Sequence, residues 1–362
     1  MNKSLHVLIK PASSLCNLAC TYCFYHDVAK YQETHSRKIM SIEIMKRIID
    51  DTLVMALGKS ITFGFQGGEP LIAPLSFYEA FVEYVNEKNI YNTLIQYTIQ
   101  TNGILLTETH AKFFKNNNFL VGLSLDGGEK INNLFRLTEN GIHTYAKVID
   151  ALNILKKYEI AFNILVVVTH QSTPYIKDIY NDLKQLGVMF LQFIPVLEPF
   201  NSIPFSMSYA LTQEDYANYH IDLWDMYKHD RKQGEMVFIR YFDNLKSMIN
   251  HQRVEQCGVS GMCHAQIVVE SDGTVYPCDF YSDSQHKLGN LLENTMSEIV
   301  KTKTMSDFIV QSLKVNQECI ECKFYTLCRG GCKRYHHEDS SHTSKHKYCE
   351  GIKLFLNHVL ET

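Results

Sequence analysis

The sequence predicts an α/β protein in which a partial, open barrel of six strand–helix units precedes a smaller cysteine-rich domain. Six short apolar runs recur before residue 235, and most are followed by a polar loop and an amphipathic stretch. A period of ~30 residues is typical of consecutive right-handed βαβ units around a parallel sheet. Six units are too few to close an eight-stranded barrel of ~250 residues. We therefore expect one domain over 1–235 and a second over 236–362.

The elements follow from the periodicity of the apolar residues. Residues 162–168, FNILVVV, are apolar without alternation, as expected of a strand that is covered on both faces. A helix that begins at Ser41, a typical N-cap, would stop at Gly58. We expect strands over 5–10, 60–65, 94–100, 119–125, 160–168 and 188–195, and helices over 41–58, 75–89, 107–116, 142–158, 174–186 and 211–231.

Composition excludes several classes of protein. The 362 residues carry 35 Lys and Arg against 39 Asp and Glu, a net charge of −4, which argues against nucleic-acid binding. No apolar run approaches the ~18 residues of a membrane span, and the N-terminus does not resemble a signal peptide. We therefore expect a cytoplasmic protein that binds no membrane. In that reducing compartment the eleven cysteines are not expected to form disulfides.

Polar loops follow five of the six predicted strands. Their sequences are CNLACTYC (16–23), QGGEP (66–70), QTNG (100–103), SLDGG (124–128) and VLEP (196–199). Each loop alone reads as a turn. In parallel α/β proteins, however, the loops after the strands gather at the carboxyl edge of the sheet, where ligands bind. We expect them to form one site for a small molecule.

Cys16, Cys20 and Cys23 form a C-x3-C-x2-C motif directly after the first strand. A structural zinc site needs four ligands, and His26 is the only nearby candidate for the fourth. A 4Fe–4S cluster bound by three cysteines would keep one iron open, which suits catalysis. A zinc knuckle or buried thiols remain the alternatives at this point.

The C-x3-C-x2-C motif after strand one and GGEP after strand two resemble the radical S-adenosylmethionine (radical SAM) superfamily. The resemblance implies that the open iron binds SAM, whose reductive cleavage gives a 5′-deoxyadenosyl radical that abstracts hydrogen. It also implies that Tyr22 and Leu197 contact the adenine region, Gly68 the methionine amino group, and Ser124 and Arg136 the methionine carboxylate. Ordinary packing is the alternative for Ser124 and Leu197.

Eight further cysteines lie in the last hundred or so residues, in the pattern C-x5-C-x9-G-x4-C, C-x2-C-x5-C-x3-C and C. Two structural zinc sites are the alternative reading. The stretch 267–278 predicts a hairpin with an Asp-Gly turn that presents Cys278. Together with Gly273, the pattern resembles the SPASM extension of radical SAM enzymes, which binds two auxiliary 4Fe–4S clusters. The resemblance implies one cluster on Cys257, Cys263, Cys278 and Cys332, and another on Cys319, Cys322, Cys328 and Cys349.

Fully ligated clusters suit electron transfer, so they favour a two-electron oxidation in which a base accepts a proton. Asp279 follows Cys278 between aromatic residues and is our candidate for that base, with a surface carboxylate as the alternative.

The whole chain is similar to anaerobic sulfatase-maturating enzymes, which convert a Cys or Ser of a sulfatase into Cα-formylglycine. The resemblance rests on the segments 9–26, 65–70, 100–103, 119–127, 239–243, 268–281 and 322–332. It implies that Asp279 is the proton acceptor, that the auxiliary clusters take the electron, and that Tyr25 and Gln66 contact the substrate. The implied partners are an unfolded or nascent sulfatase with a Cys/Ser-x-Pro/Ala-x-Arg motif and an electron donor such as flavodoxin or ferredoxin.

Two other functions remain open: a SPASM maturase that crosslinks another peptide through thioethers, and a zinc-stabilised binding protein without redox chemistry. The clustered His336, His337, His342 and His346 lie in a polar stretch, for which we expect a solvated loop.

Overall fold

The computed structural model describes residues 4–32, 38–200, 202–338 and 344–362. Packing divides the chain into two units. Unit 1 consists of Met1–Ser124, Arg136–Phe162 and Ala265–Phe308, and unit 2 of Leu125–Phe135, Asn163–His264 and Ile309–Thr362. These units are defined by contacts, so the domain boundary expected after residue 235 stays a prediction.

The strands are β1 Leu5–Ile9, β2 Ser60–Phe65, β3 Leu94–Thr101, β4 Leu120–Ser124, β5 Phe162–Val168, β6 Phe190–Pro195, β7 Phe238–Ile239, β8 Ile267–Val269, β9 Thr274–Tyr276, β10 Gly289–Asn290, β11 His336–Glu338 and β12 Ser344–His346. All six predicted strands are present as β1 to β6, and their ends lie within two residues of the prediction.

The helices are α1 Phe24–Val28, α2 Ile42–Ala56, α3 Leu75–Lys88, α4 Glu108–Asn116, α5 Glu129–Phe135, α6 Tyr145–Lys157, α7 Ile176–Gln185, α8 Gln213–Lys232, α9 Arg240–Ile249, α10 Met296–Ile299, α11 Lys303–Ser312, α12 Gln317–Ile320, α13 Tyr325–Cys328 and α14 Cys349–Glu361. The predicted helices are confirmed as α2, α3, α4, α6, α7 and α8. Ser41 is the N-cap of α2, and its hydroxyl accepts a hydrogen bond from Ile44 N at 3.2 Å.

In unit 1 the described strands lie in the order β10-β9-β8-β1-β2-β3-β4. The pairs from β8 through β1 and on to β4 are parallel, so the loops after β1, β2, β3 and β4 leave from one edge. Strands β8 and β9 form the predicted hairpin, and its turn residue Gly273 has a φ of +85°, which favours glycine. The side chains of Ile9, Phe63 and Val121 are fully buried in the core. This packing fixes the edge from which the functional loops project.

In unit 2, β5, β6 and β7 pair in parallel, and α8 packs against α14. The close approach depends on Gly351 of α14, where a Cβ would lie 2.3 Å from Gln213 O. The rings of Trp224, Phe242 and Phe355 contact one another, with centroids 5.3 to 6.3 Å apart. This aromatic core fixes the C-terminal helix that begins at Cys349.

Candidate active site

The three cysteines of the C-x3-C-x2-C motif lie on the loop between β1 and α1. Cys23 is the N-cap of α1, and its N–H donates to Cys20 O at 3.0 Å. Burial raises the pKa of the Cys16 thiol to about 12, and the neighbouring Cys20 and Cys23 add to the shift. Three half-buried cysteines on one loop suit ligands of an iron–sulfur cluster, because bound iron would stabilise their thiolate forms.

The GGEP loop after β2 packs directly against this cysteine loop. Gly68 N donates to Ser13 O at 2.7 Å, and Glu69 N donates to Leu15 O at 2.7 Å. A Cβ at Gly68 would lie 2.1 Å from Leu15 O, so only glycine allows this backbone approach. Gly68 is thus explained by the packing of the two loops, and its expected contact with the methionine amino group stays a prediction.

Glu69 connects the GGEP loop to the loop after β3 through hydrogen bonds. Its buried carboxylate accepts hydrogen bonds from Leu71 N, Thr101 Oγ1 and Asn102 N at 2.7–3.0 Å. Burial raises the pKa of Glu69 to about 7, although these hydrogen bonds act to lower it. The amide of Asn102 in turn donates to Asn17 Oδ1 at 2.8 Å. Three post-strand loops therefore form one connected structure, and Asn102 is a contact that we did not predict.

Of the five residues predicted to contact SAM, four lie in unit 1. The Arg136 guanidinium lies 5.7 Å from the Tyr22 ring centroid, and its charge lowers the pKa of Cys23, which burial raises overall. Ser124 ends β4, and its Oγ accepts a hydrogen bond from Gln100 Nε2 at 3.0 Å. Leu197 is buried in unit 2, in the segment after β6. The roles of these residues toward SAM stay predictions.

Asp279 forms the centre of a buried polar cluster in unit 1. Both carboxylate oxygens lie 2.6 Å from the Tyr25 hydroxyl, which donates to them, and Oδ2 accepts from Gln66 Nε2 at 3.0 Å. Gln66 Nε2 also lies 3.1 Å from the Tyr25 hydroxyl. Asp279 is 7% exposed, so the alternative of a surface carboxylate is wrong. The structure thus brings together the three residues for which the sequence suggested catalysis or substrate contact.

Lys10, at the end of β1, completes this cluster and was not predicted. Its Nζ lies 3.2 Å from Asp279 Oδ1 and 2.9 Å from Glu270 Oε1. Burial acts to lower the pKa of Lys10, but the carboxylates of Glu270 and Asp279 outweigh it and raise the pKa. Burial and the Asp279 carboxylate raise the pKa of Tyr25 well above its usual value. The cluster therefore holds a charged ammonium and a protonated phenol against the carboxylate.

The second predicted set of cysteines meets in unit 2. A cavity with an empty volume of about 380 Å³, including open solvent, is lined by all four of its members: Cys319, Cys322, Cys328 and Cys349. Burial raises the pKa of Cys328 to about 11, and the other three thiols also affect it. Four convergent thiols fit the full ligand set of a 4Fe–4S cluster.

Three cysteines of the first predicted set also converge in unit 2. A Cβ at Gly258, next to Cys257, would lie 3.5 Å from the Cys332 Cβ. Burial raises the pKa of Cys332 to about 12, and both Cys257 and Cys263 contribute. Cys278, the fourth expected ligand, is in unit 1, where it precedes the turn that contains Asp279. The assignment of Cys278 to this set stays a prediction.

The solvated loop expected around the clustered histidines is wrong for the described residues. His336–Glu338 and Ser344–His346 pair as the antiparallel strands β11 and β12. His346 is 8% exposed against the Tyr335 ring, and burial lowers its pKa well below the usual value. His342 lies outside the described residues. The polar composition did not show that this ribbon folds back onto aromatic side chains.

In the described part of the chain, no three His, Cys, Asp or Glu side chains are arranged to hold a single metal ion. A 4Fe–4S cluster differs from such a site because each cysteine binds a different iron. No helix there is long and apolar enough to cross a bilayer.

Comparison with known families defines the class of protein. Residues 11–183 match the radical SAM superfamily, and residues 257–323 match the SPASM iron–sulfur cluster-binding domain. Together with the loop geometry, these matches define a radical SAM enzyme and confirm the predicted fold class and the predicted cofactors, SAM and 4Fe–4S clusters. They also exclude the zinc-stabilised binding protein.

Individual relatives narrow the class. A cysteine-type anaerobic sulfatase-maturating enzyme of Clostridium perfringens (strain 13 / Type A) is 42% identical over 98% of this chain and 96% of its own length. A serine-type enzyme of Bacteroides thetaiotaomicron is 28% identical over 99% and 90%. The solved structure of native anSMEcpe with bound AdoMet and the Kp18Cys peptide is 40% identical, with a TM-score of 0.94 over 99% of this chain and 98% of that one. The chain therefore belongs to the family of anaerobic sulfatase-maturating enzymes.

Proposed function

We propose that the protein oxidises a cysteine of a sulfatase polypeptide to Cα-formylglycine, with Asp279 as the proton acceptor. The observation that carries the proposal is the buried Asp279 carboxylate, which follows Cys278 and contacts Tyr25, Gln66 and Lys10. A buried carboxylate that hydrogen-bond donors hold in place is suited to accept a proton from a bound substrate.

The expected cofactors are SAM, a cluster on Cys16, Cys20 and Cys23, and two auxiliary clusters on the cysteine sets described above. When bound, they would supply a radical that removes a hydrogen atom from the substrate Cβ and an acceptor for the electron that is then released. The residues of the chain would position SAM and the peptide and would accept the proton. Tyr22, Gly68, Ser124, Arg136 and Leu197 would hold SAM, and Tyr25 and Gln66 would orient both Asp279 and the peptide.

Asp279 would take the proton from the substrate thiol or hydroxyl. The loss of one hydrogen atom, one proton and one electron is a two-electron oxidation, which converts a serine directly to the aldehyde. A cysteine gives a thioaldehyde, and water then replaces its sulfur and releases hydrogen sulfide. The cluster around Asp279 leaves the identity of the substrate side chain open.

Three facts support a cysteine peptide as the preferred substrate. The cysteine-type relative is 42% identical and the serine-type relative 28%. The solved relative with a TM-score of 0.94 binds a peptide whose name specifies cysteine. We propose an unfolded or nascent sulfatase with a Cys-x-Pro/Ala-x-Arg motif as the partner, and a flavodoxin or ferredoxin as the electron donor.

Mass spectrometry of paired peptides tests the proposal. A Cys peptide and a matched Ser peptide would be incubated anaerobically with reconstituted enzyme, SAM and a reductant. We expect the formylglycine mass from the Cys peptide at a higher rate than from the Ser peptide. Formation of 5′-deoxyadenosine with both peptides unchanged would contradict the proposed substrate and favour a maturase of another peptide.

A further inference from the structure

Lys10 is a buried cation in contact with the proposed base, and in the chemistry proposed above it neither transfers a proton nor binds the substrate. It is 1% exposed, and a buried ammonium needs partners for its charge and its three N–H donors. Three oxygens lie within 3.2 Å of Nζ: Glu270 Oε1 at 2.9 Å, Ser282 Oγ at 3.2 Å and Asp279 Oδ1 at 3.2 Å. Lys10 therefore has one acceptor for each donor, and Asp279 is one of them.

The second carboxylate, Glu270, is also buried and accepts a hydrogen bond from Lys10 Nζ. Glu270 is 4% exposed, and its Oε1 accepts from Gln32 Nε2 at 3.1 Å as well as from Lys10. Its other oxygen, Oε2, is buried and has no hydrogen-bond partner among the described residues. Gln32 Nε2 also donates to the backbone oxygen Ser282 O at 2.9 Å, so Gln32 contacts two of the three residues that accept from Lys10. The ammonium is thus fixed by groups other than the proposed base.

Lys10 also contacts the hydrogen-bond donor of the base. Its Nζ lies 4.6 Å from the centroid of the Tyr25 ring, a distance typical of a cation–π contact. Movement of Lys10 would therefore affect the Asp279 carboxylate directly and the Tyr25 hydroxyl that donates to it.

We propose that Lys10 is a positioning residue that fixes the Asp279 carboxylate for reaction with the substrate, while Glu270 supplies the second counter-charge of Lys10. The inference rests on the proposed role of Asp279. Because Glu270 is a partner as well, Lys10 does not depend on Asp279 alone for its charge balance. Lys10, which contacts Asp279, is therefore also held by the Glu270 carboxylate.

Lys10→Met in the reconstituted full-length enzyme tests the role. We expect formylglycine formed per 5′-deoxyadenosine to fall about 10- to 100-fold, the loss typical of a misplaced catalytic group. The loss should appear in kcat, with the KM for the Cys peptide changed by about twofold or less. Full product yield, or a loss confined to KM, would overturn the proposal.

The double variant Lys10→Met/Glu270→Gln separates positioning from simple charge pairing. Lys10→Met alone leaves two buried carboxylates without a cation, so it also lowers stability. The double variant removes one of those charges, and we expect it to recover thermal stability but not product yield. Recovery of both would overturn the proposal, because Lys10 would then serve only to neutralise Glu270.

Single substitutions give an answer even where the double variant does not fold. Glu270→Gln keeps Lys10 next to Asp279, so we expect a several-fold smaller loss of yield than in Lys10→Met, and an equal loss would overturn the proposal. The matched control is Lys184→Met in α7, since Lys184 also bridges two carboxylates, Asp230 and Glu235, at 2.5 Å each. It should leave product yield unchanged.

Asp279→Asn distinguishes failure of this inference from failure of the proposed function. Full oxidation by Asp279→Asn would remove the base and with it the positioning role of Lys10. Loss of oxidation in Asp279→Asn together with full oxidation in Lys10→Met would overturn the positioning role alone.

Discussion

Each of the two units contains a buried lysine paired with a buried glutamate, and the two pairs differ in their partners. In unit 1, Lys10 has two carboxylates and a hydroxyl within 3.2 Å. In unit 2, the described residues give Lys347 one carboxylate partner, Glu198, at 2.5 Å. The Lys347 Nζ also lies 4.7 Å from the centroid of the Tyr348 ring. The two pairs consist of the same residue types, but different charged groups surround them.

The pKa values of the two lysines shift in opposite directions. Burial lowers the pKa of Lys347, because the single Glu198 carboxylate does not compensate for lost hydration and Arg334 adds a like charge. The same burial at Lys10 is outweighed by two carboxylates, and the pKa is raised. The two carboxylates near Lys10 therefore favour its charged form, whereas burial outweighs the Glu198 carboxylate at Lys347.

The largest effect that we predict is on the base itself. Asp279→Asn should lower formylglycine formation by about 10²- to 10⁴-fold, the contribution typical of a general base. The expectation is that cluster content and SAM cleavage are retained, since no proposed cluster or SAM ligand changes. Mass spectrometry of the Cys peptide with parallel quantification of 5′-deoxyadenosine measures both.

A matched control is available four residues away. Asp283 is buried to the same extent, but it caps a turn and accepts from His286 N at 3.2 Å. Asp283→Asn should keep peptide oxidation. Equal losses in the two variants would show that Asp279 acts only through the structure of this segment.

The next largest effect is on the stability of unit 2. Lys347→Met leaves the Glu198 carboxylate buried without its cation, and Glu198 Oε1 has no hydrogen-bond partner in the described part of the chain. We therefore expect the free energy of unfolding to fall by about 3–5 kcal/mol. Trp224, the single tryptophan of the chain, lies in unit 2, and its fluorescence during urea unfolding reports the change. Lys347→Met/Glu198→Gln should recover most of the loss. A loss below about 1 kcal/mol in the single variant, the range of surface ion pairs, would contradict the comparison.

A buried histidine of unit 2, His220, should make the free energy of unfolding depend on pH. His220 is 4% exposed, its Nδ1 donates to Tyr216 O at 2.8 Å, and burial lowers its pKa to about 3. Because the pKa is near 6.5 in the unfolded chain, the unfolded state binds the proton first as the pH falls. Stability is thus fully present above about pH 6.5 and is lost as the pH falls toward 3.

Between pH 7 and pH 5 this histidine should reduce the free energy of unfolding by about 2 kcal/mol. His220→Phe should remove that part of the pH dependence, and urea unfolding followed by Trp224 fluorescence at both pH values measures it. An identical pH dependence in both proteins would show that His220 is not held neutral by burial.

The sequence predicted the central residues of the site but not Lys10 and Glu270, which hold them in place. Asp279, Tyr25 and Gln66 were found because each stands in or next to a motif. Lys10 was placed at the end of β1, but its partner Glu270 lies 260 positions away, and no spacing rule connects them. The hairpin of β8 and β9 was predicted from its Asp-Gly turn, whereas the pairing of β8 with β1, which brings Glu270 to Lys10, depends on tertiary structure. His346 was misjudged for the same reason, since its polar neighbours in sequence are not its neighbours in space.

The smallest effects should be equal in the two units, because helix caps act locally and near solvent. The hydroxyls of Ser41 at α2 and Thr212 at α8 each accept one backbone hydrogen bond, at 3.2 Å from Ile44 N and 3.0 Å from Asp215 N. Ser41→Ala and Thr212→Ala should each lower stability by about 1 kcal/mol, and Thr212→Ser should change little. Amide hydrogen exchange in the first turn of each helix measures the loss separately. Similar losses would place the difference between the units in their buried charges, while a much larger loss in one helix would show that secondary structure contributes to it.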